Sequence, residues 1–384
     1  MAQRLKTDWI LFVTVLVLMS FGALIIYSAS SISAKLDPRY QSSWHFVLRQ
    51  LEWAVLSVVV MMALKKTSYR NFQTPAVAFS AIGIALMLLA AAFMLDSVGH
   101  RWLRLGVMGF QVQPSELAKP ALVIFLAFFV TWRARAINNP RHTLLPAALA
   151  VGLVIFAVVR ADLGTAVVLG AVASIVFVVA GLEWRYVAIA GIVAMIGVLI
   201  SIWNDPYRMK RVVQFFDPEF KILAKFDPNG HIKKQLEKSL TTADTTYQLA
   251  QSKIAVGAGG PLGVGLMNGR QKLLYLPEAH TDFIYAVVGE EMGLIGTVGI
   301  LIGFSIIFWR GLRTTVRIKD DFGRYLALGV TVVVVVQGFI NMSVVLGMGP
   351  TKGIPLPMIS YGGSSLLSTL AMLGILMNVS EHAG

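Results

Sequence analysis

The chain is a succession of long apolar runs separated by short polar ones, and that alternation leaves few folds open. The runs fall at roughly 9–29, 50–64, 77–95, 114–132, 144–160, 164–181, 186–203, 283–309, 325–346 and 362–380. An apolar run of about 18 residues or more crosses a bilayer as a helix. In lipid each backbone N–H and C=O must pair within its own segment, so helices are the expected form. The alternating segments of an outer-membrane barrel are not seen. Charge agrees: 14% of residues are charged, against about 25% in a soluble domain. The expectation is an all-α polytopic membrane protein of about ten transmembrane helices, one domain over 1–384. "YSASSISA" after the first run looks like a small-residue cleavage site. The apolar core before it is too long for a secretory signal, so the first run reads as an uncleaved anchor.

Lysine and arginine in the short loops set the orientation. With the N-terminus inside, fourteen of them (Arg4, Lys6, Lys65 and Lys66 among them) fall inside and seven outside. The expected topology is therefore N-in and C-in. A net charge of +13 then points to anionic lipid head groups rather than to nucleic acid. Cysteine is absent, which removes disulfide and thiol chemistry.

The connection 204–282, between the seventh and eighth runs, is far longer than an ordinary loop. Its segment "DPYRMKRVVQFFDPEF" sets Arg208, Lys210 and Arg211 beside Phe215 and Phe216, a mixture suited to a helix lying on head groups. Its segment "AVGAGGPLGVGLMNG" is turn-rich and reads as a flexible hinge. It resembles a phosphate loop only superficially, because Leu262 stands where a dinucleotide fingerprint needs glycine. No zinc-type spacing of Cys or His occurs.

Charges in or beside a span are costly, so each needs a partner or a watery cavity. Those found are Glu52, Glu116, Lys119, Arg160, Asp162, Asp282, Glu290 and Glu291. All but the last two lie near the outer ends of their spans, which points to one outward-facing polar site. In "QPSELAKP", Glu116 and Lys119 share a helix face and can pair. The pair is either a local device that makes the helix tolerable in lipid or a cation presented to a carboxylate on another span. Asp282 stands where the long connection enters the eighth span. It can cap that helix, or act as a general base with its affinity for a proton raised by desolvation and lowered by a nearby cation such as Lys119. His280 and Glu278 flank its approach. Glu290 and Glu291 lie about two turns deeper, where a supporting role is expected. "PTKGIPLPMISYGGSS" (350–365) is a broken entry into the last span, a form tolerated where it lines a cavity. Lys352 there is a candidate phosphate ligand, or else a snorkelling lysine on a rigid turn. Ser360, Tyr361 and Ser364 offer hydroxyls.

Five stretches occur in a fixed order: "YSASS" (27–31), "HRWLRLG" with "QPSELAKP", "DLGT" (162–165), "LPEAHTDFIYAVVGEEMG" (276–293) and "PTKGIPLPMISYGGSS". Together they resemble the SEDS (shape, elongation, division and sporulation) family of bacterial cell-wall polymerases over nearly the whole chain. "QKLLYLPEAHTDF" and "PTKGIPLP" are more similar to the division type, FtsW, than to the elongation type, RodA. The resemblance implies a ten-helix glycosyltransferase in the bacterial inner membrane that polymerises lipid II at the periplasmic face, at the division septum. It implies Asp282 as the essential aspartate, Glu116 and Lys119 as the partners of the "QPSExxK" motif, and a class B penicillin-binding transpeptidase as partner, with other division proteins. Ala161 replaces the family's usual proline before "DLGT", and Met358 replaces phenylalanine in "LPF". Arg101, Arg208, Lys210, Arg211 and Lys352 are then the cations available to a lipid diphosphate. No cofactor is implied; a divalent ion such as Mg or Mn could assist, and the spacing of the acids specifies none. The competing readings are a RodA-type elongation polymerase, a lipid II flippase and a non-catalytic scaffold.

Overall fold

A computed structural model of the protein describes residues 7–96, 99, 101–104, 111–217, 245–350 and 353–383. It is almost wholly helical. In chain order the helices are α1 (Trp9–Leu36), α2 (His45–Lys66), α3 (Pro75–Leu95), α4 (Pro114–Trp132), α5 (Leu145–Ala161), α6 (Leu163–Val179), α7 (Trp184–Trp203), α8 (Pro206–Phe216), α9 (Thr245–Gly259), α10 (Ile284–Arg317), α11 (Asp321–Val345) and α12 (Gly363–Glu381). A two-stranded hairpin, β1 (Leu103–Arg104) with β2 (Gln111–Val112), precedes α4.

Among the described residues, nine helices are long and apolar enough to cross a membrane, and α6 is a shorter apolar helix. These ten are the ten runs of the sequence. The boundaries differ most at α1, α2 and α10. The "YSASS" stretch continues α1, with Ser28, Ser30 and Ser31 buried. Polar residues at the start of α2 do not break it: the helix begins at His45, with Val47 and Gln50 of its first turns buried.

Most of α4, α11 and α12 is buried, whereas α7 buries no residue. The centre of the bundle is therefore the last two spans with α4, and α7 offers its apolar surface to lipid. Without a hydrophobic drive between helices in lipid, close packing and polar contacts carry the association. At the end bearing both termini, Arg310 Nε lies 2.8 Å from Asp8 Oδ2, and Lys65 Nζ lies 3.2 Å from Glu381 Oε1. Asn378 accepts from the Tyr69 amide and donates to the Lys65 carbonyl. These contacts fasten α1, α2, α10 and α12 at that end.

The long connection is partly a folded layer. Its basic-aromatic segment forms α8, as its composition suggests. Its glycine-rich segment is not a free hinge. It ends α9 and then closes onto α10, where the Val264 and Gly265 amides donate to the carbonyls of Glu290 and Glu291, and the Leu294 amide donates to Gly260. This contact breaks α10 at Gly293, whose φ of 61° and ψ of −152° are non-helical. Gly263 must lack a side chain, since a Cβ on it would lie 2.1 Å from the Glu291 carbonyl oxygen. The turn-rich composition suggests flexibility, whereas its glycines serve close backbone approach.

Candidate active site

The site lies at the ends of α4, α10, α11 and α12 away from the termini. Asp282 sits in a turn just before α10. Glu278 opens the turn with a φ of 54°, and its carbonyl accepts from the amides of Thr281 and Phe283. Glu278 itself is exposed, and its carboxylate accepts from Thr281 Oγ1 at 2.8 Å. Asp282 does not cap α10: the capping position is Phe283 and no side chain caps the helix. Its carboxyl instead lies against the backbone of Gly353, where a Cβ would come within 2.6 Å of Asp282 Oδ2.

Three consecutive carbonyls of this turn are held by neighbouring elements. The Tyr361 amide donates to His280 O, Ser360 Oγ donates to Thr281 O at 2.6 Å, and Asn341 Nδ2 donates to Asp282 O at 2.8 Å. Burial pushes the Asp282 carboxyl up to about 7, first by desolvation and then by the charge of Glu278; Arg101 and Arg211 oppose this, and Asp162 adds to it. A carboxyl poised there can exchange a proton near neutral pH.

The expected cation from a neighbouring span is corrected here. Lys119 does not supply the charge that acts on Asp282. Its ammonium lies 2.7 Å from each Glu116 carboxylate oxygen and 2.7 Å from Gln337 Oε1, with both members of the ion pair fully buried. Gln337 Nε2 then donates to Pro355 O at 2.9 Å. Lys119 is therefore tied to the segment beside Asp282 through an amide. The cations that bear on Asp282 come from the hairpin side (Arg101) and from α8 (Arg211).

Arg101 has its main chain fixed by Asp96, and one terminal nitrogen stands 3.8 Å from Asp162 Oδ2. Its Nε is buried without a partner. Asp162 caps α6, accepting from the Gly164 and Thr165 amides and from Thr165 Oγ1. The replacement of proline by Ala161 leaves this cap intact.

Arg208 is spent on structure. It pairs with Asp205 at 3.0 Å, bonds Ser201, and donates to the carbonyls of Val159 and Arg160. A cation on the last carbonyls of α5 suits the helix dipole. Lys210 lies on the same helix, partly buried.

His280 packs between Phe46 and Tyr361, with ring centroids 4.5 and 5.7 Å away. Desolvation lowers its affinity for a proton, against the opposing charge of Glu278, so it is neutral at pH 7. Ser360 is committed to the turn, since its Oγ also accepts from the Leu356 amide. Ser364 is buried in the first turn of α12, and burial raises the Tyr361 hydroxyl. Lys352 lies outside the described residues.

Glu290 and Glu291 brace the connection, not the carboxyl. Glu290 accepts from the Arg270 and Gln271 amides. Glu291 takes Ser28 Oγ at 2.7 Å, the Met267 amide, and Lys272 Nζ at 2.5 Å. Lys272, Gln337 and Asn341 were missed in the sequence. Gln337 and Asn341, one turn apart in "VVVVVQGFIN", are the only polar side chains of that stretch, which is the signal that could have found them. Among the described residues no three His, Asp or Glu side chains converge to hold a metal ion.

A family of cell cycle proteins comprising FtsW, RodA and SpoVE matches this chain over residues 8–384. The chain belongs to the FtsW/RodA/SpoVE family. A Trichlorobacter lovleyi member named "Probable peptidoglycan glycosyltransferase FtsW" is 37% identical, covering 97% of this chain and 93% of its own. The Bacillus subtilis member "Stage V sporulation protein E" is 33% identical over 99% of each. A solved family structure, described as showing "structural coordination of polymerization and crosslinking by a peptidoglycan synthase complex", superposes with a TM-score of 0.73 at 26% identity, over 99% of each chain. A Thermus thermophilus RodA crystal structure shares the fold, with a TM-score of 0.66 at 24% identity over 98% of this chain and 97% of that one.

Proposed function

We propose that the protein is a peptidoglycan glycosyltransferase that polymerises lipid II into glycan strands at the periplasmic face of the inner membrane during septal wall synthesis. The observation that carries this reading is the Asp282 carboxyl, half-buried at the entrance to α10 and set against the backbone of Gly353. The names of the FtsW relatives support the glycosyltransferase activity, and the division role rests on the motif resemblance. The crosslinking complex described for a solved relative supports a crosslinking partner, which the motif resemblance makes a class B penicillin-binding transpeptidase.

In this mechanism Asp282 accepts the proton of the acceptor's sugar 4-hydroxyl as that oxygen attacks C1 of the donor strand's terminal MurNAc. The new C1–O bond forms as the C1–O bond to the diphosphate breaks, and undecaprenyl diphosphate departs with the electron pair. A positioned base contributes about 10²–10⁴-fold. In this reading Arg101 and Arg211 neutralise the departing oxygens, for which arginine's paired donors are well shaped. Lys119 and Glu116 hold the framework. Both substrates are amphiphiles, so a polymerase within the bundle meets them where the bilayer confines them.

Purified protein in liposomes with lipid II, and no other polymerase, tests the reading. New glycan strands support it. Lipid transfer between leaflets without new glycosidic bonds indicates a flippase. No activity, with cell growth unaffected by Asp282→Ala, indicates a scaffold.

A further inference from the structure

Asn341 lies one turn from the end of α11, beside the site. It is buried on α11, one turn beyond Gln337. Its one amide nitrogen serves two carbonyls, Asp282 O at 2.8 Å and Ile354 O at 2.7 Å. Those carbonyls belong to two segments that meet at the site: the turn before α10 and the segment entering α12. Its amide oxygen is buried without a partner. An unsatisfied buried acceptor is a cost that an apolar residue of the same shape would avoid. The two hydrogen bonds donated by Nδ2 are what the side chain contributes.

We infer that Asn341 is a positioning residue for Asp282: by locking the main chain of Asp282 to that of Ile354, it fixes where the Asp282 carboxyl stands against Gly353. The inference rests on the general-base reading. Three features support it. First, Asp282 Oδ2 and the Gly353 backbone are in close contact, so the two segments cannot shift independently without moving the carboxyl. Second, Ser360 and Tyr361 hold the two preceding carbonyls from the same segment, so the Asn341 contact is the one that reaches the reacting residue itself. Third, Gln337 grips the adjacent Pro355 carbonyl and is held in turn by Lys119. The Glu116–Lys119 pair therefore reaches the site through the same helix face. Near-attack geometry tolerates little error, and a displacement of about 1 Å can cost 10²-fold in rate.

The groups facing Asp282 are Glu278 from its own turn, Arg101 from the hairpin side, Asp162 from the start of α6 and Arg211 from α8. A carboxyl released from Gly353 changes its exposure relative to all four. It gains water, and its proton affinity falls toward the ordinary carboxylate range.

The test uses full-length protein in lipid II liposomes, with Asn341→Leu, Asn341→Ser and, in parallel, Asp282→Asn. Asn341→Leu removes both donated bonds. Asn341→Ser leaves one hydroxyl proton for the two carbonyls and adds no charge beside Asp282, so it carries the test if Asn341→Leu does not fold. The expected result is a kcat lower by about 10- to 100-fold, with KM for lipid II nearly unchanged and the acidic limb of the pH profile moved to lower pH. An Asn341 variant that folds with wild-type kcat and an unmoved acidic limb overturns the inference. So does a loss of active protein without movement of that limb, which marks a purely structural role. Asp282→Asn at wild-type rate overturns the general-base reading, and the inference with it; an inactive Asp282→Asn beside unaffected Asn341 variants overturns the inference alone.

Discussion

Gly353 stands so close to Asp282 that a Cβ on it would fall 2.6 Å from the carboxylate oxygen Oδ2. Gly353→Ala therefore forces the carboxyl or the segment to move. The site is on the surface side of the bundle, so the fold is expected to survive with a modest fall in melting temperature. Polymerisation is expected to fall by about 10- to 100-fold, the cost of a small misplacement. Steady-state kinetics with lipid II, alongside thermal unfolding, separates the two effects.

Lys119 and Glu116 form a buried pair with Gln337 as the third partner. Removing one charge leaves the other stranded, at a cost of about 3–5 kcal/mol. Lys119→Ala is expected to lose expression and stability along with activity. The paired replacement Glu116→Gln with Lys119→Met is expected to recover much of the stability. Thermal unfolding of the single and double variants in detergent checks this. Equal destabilisation by both would show that the pair is not a unit.

Lys272 and Glu291 are nearly inaccessible and share Ser28. Lys272→Met is expected to cost a similar 3–5 kcal/mol and to loosen the segment that folds back onto α10. Gly263→Ala should act on the same segment by collision with the Glu291 carbonyl. Limited proteolysis reads both: faster cleavage within 260–276 is expected, and wild-type protection would contradict the bracing role.

The fold was largely legible from the apolar runs, because a span in lipid has one backbone solution. The contacts between spans were not. The pairing of Lys119 with Glu116 was legible from its i, i+3 spacing, whereas the Gln337 amide that completes it comes from another span and shows only in three dimensions. Lys272 sits in a polar connection where nothing local shows that it will be buried against α10. Asp282 itself stood out because a carboxylate at a span entrance needs a reason. Its resemblance to a family motif drew attention to it, while its contact with Gly353 exists only in three dimensions.

The raised proton affinity of Asp282 has a cost in stability. Its folded value is about 7, above the ordinary value of about 3.9. Between those two pH values the folded state binds more protons than the unfolded chain, so stability falls as pH rises. The base is ionised only above the same range, so activity rises with pH through about 7. Asp282→Asn is accordingly expected to melt higher than wild type at pH 8, with the difference shrinking toward pH 5. Melting curves at both pH values check this. A wild-type protein equally stable relative to the variant at both would contradict the desolvated carboxyl.

The most direct measurement is the rate at which purified Asp282→Asn, reconstituted in liposomes, polymerises lipid II relative to wild type. The account predicts correctly folded protein with a rate lower by about 10²–10⁴-fold. Polymerisation at the wild-type rate would contradict it.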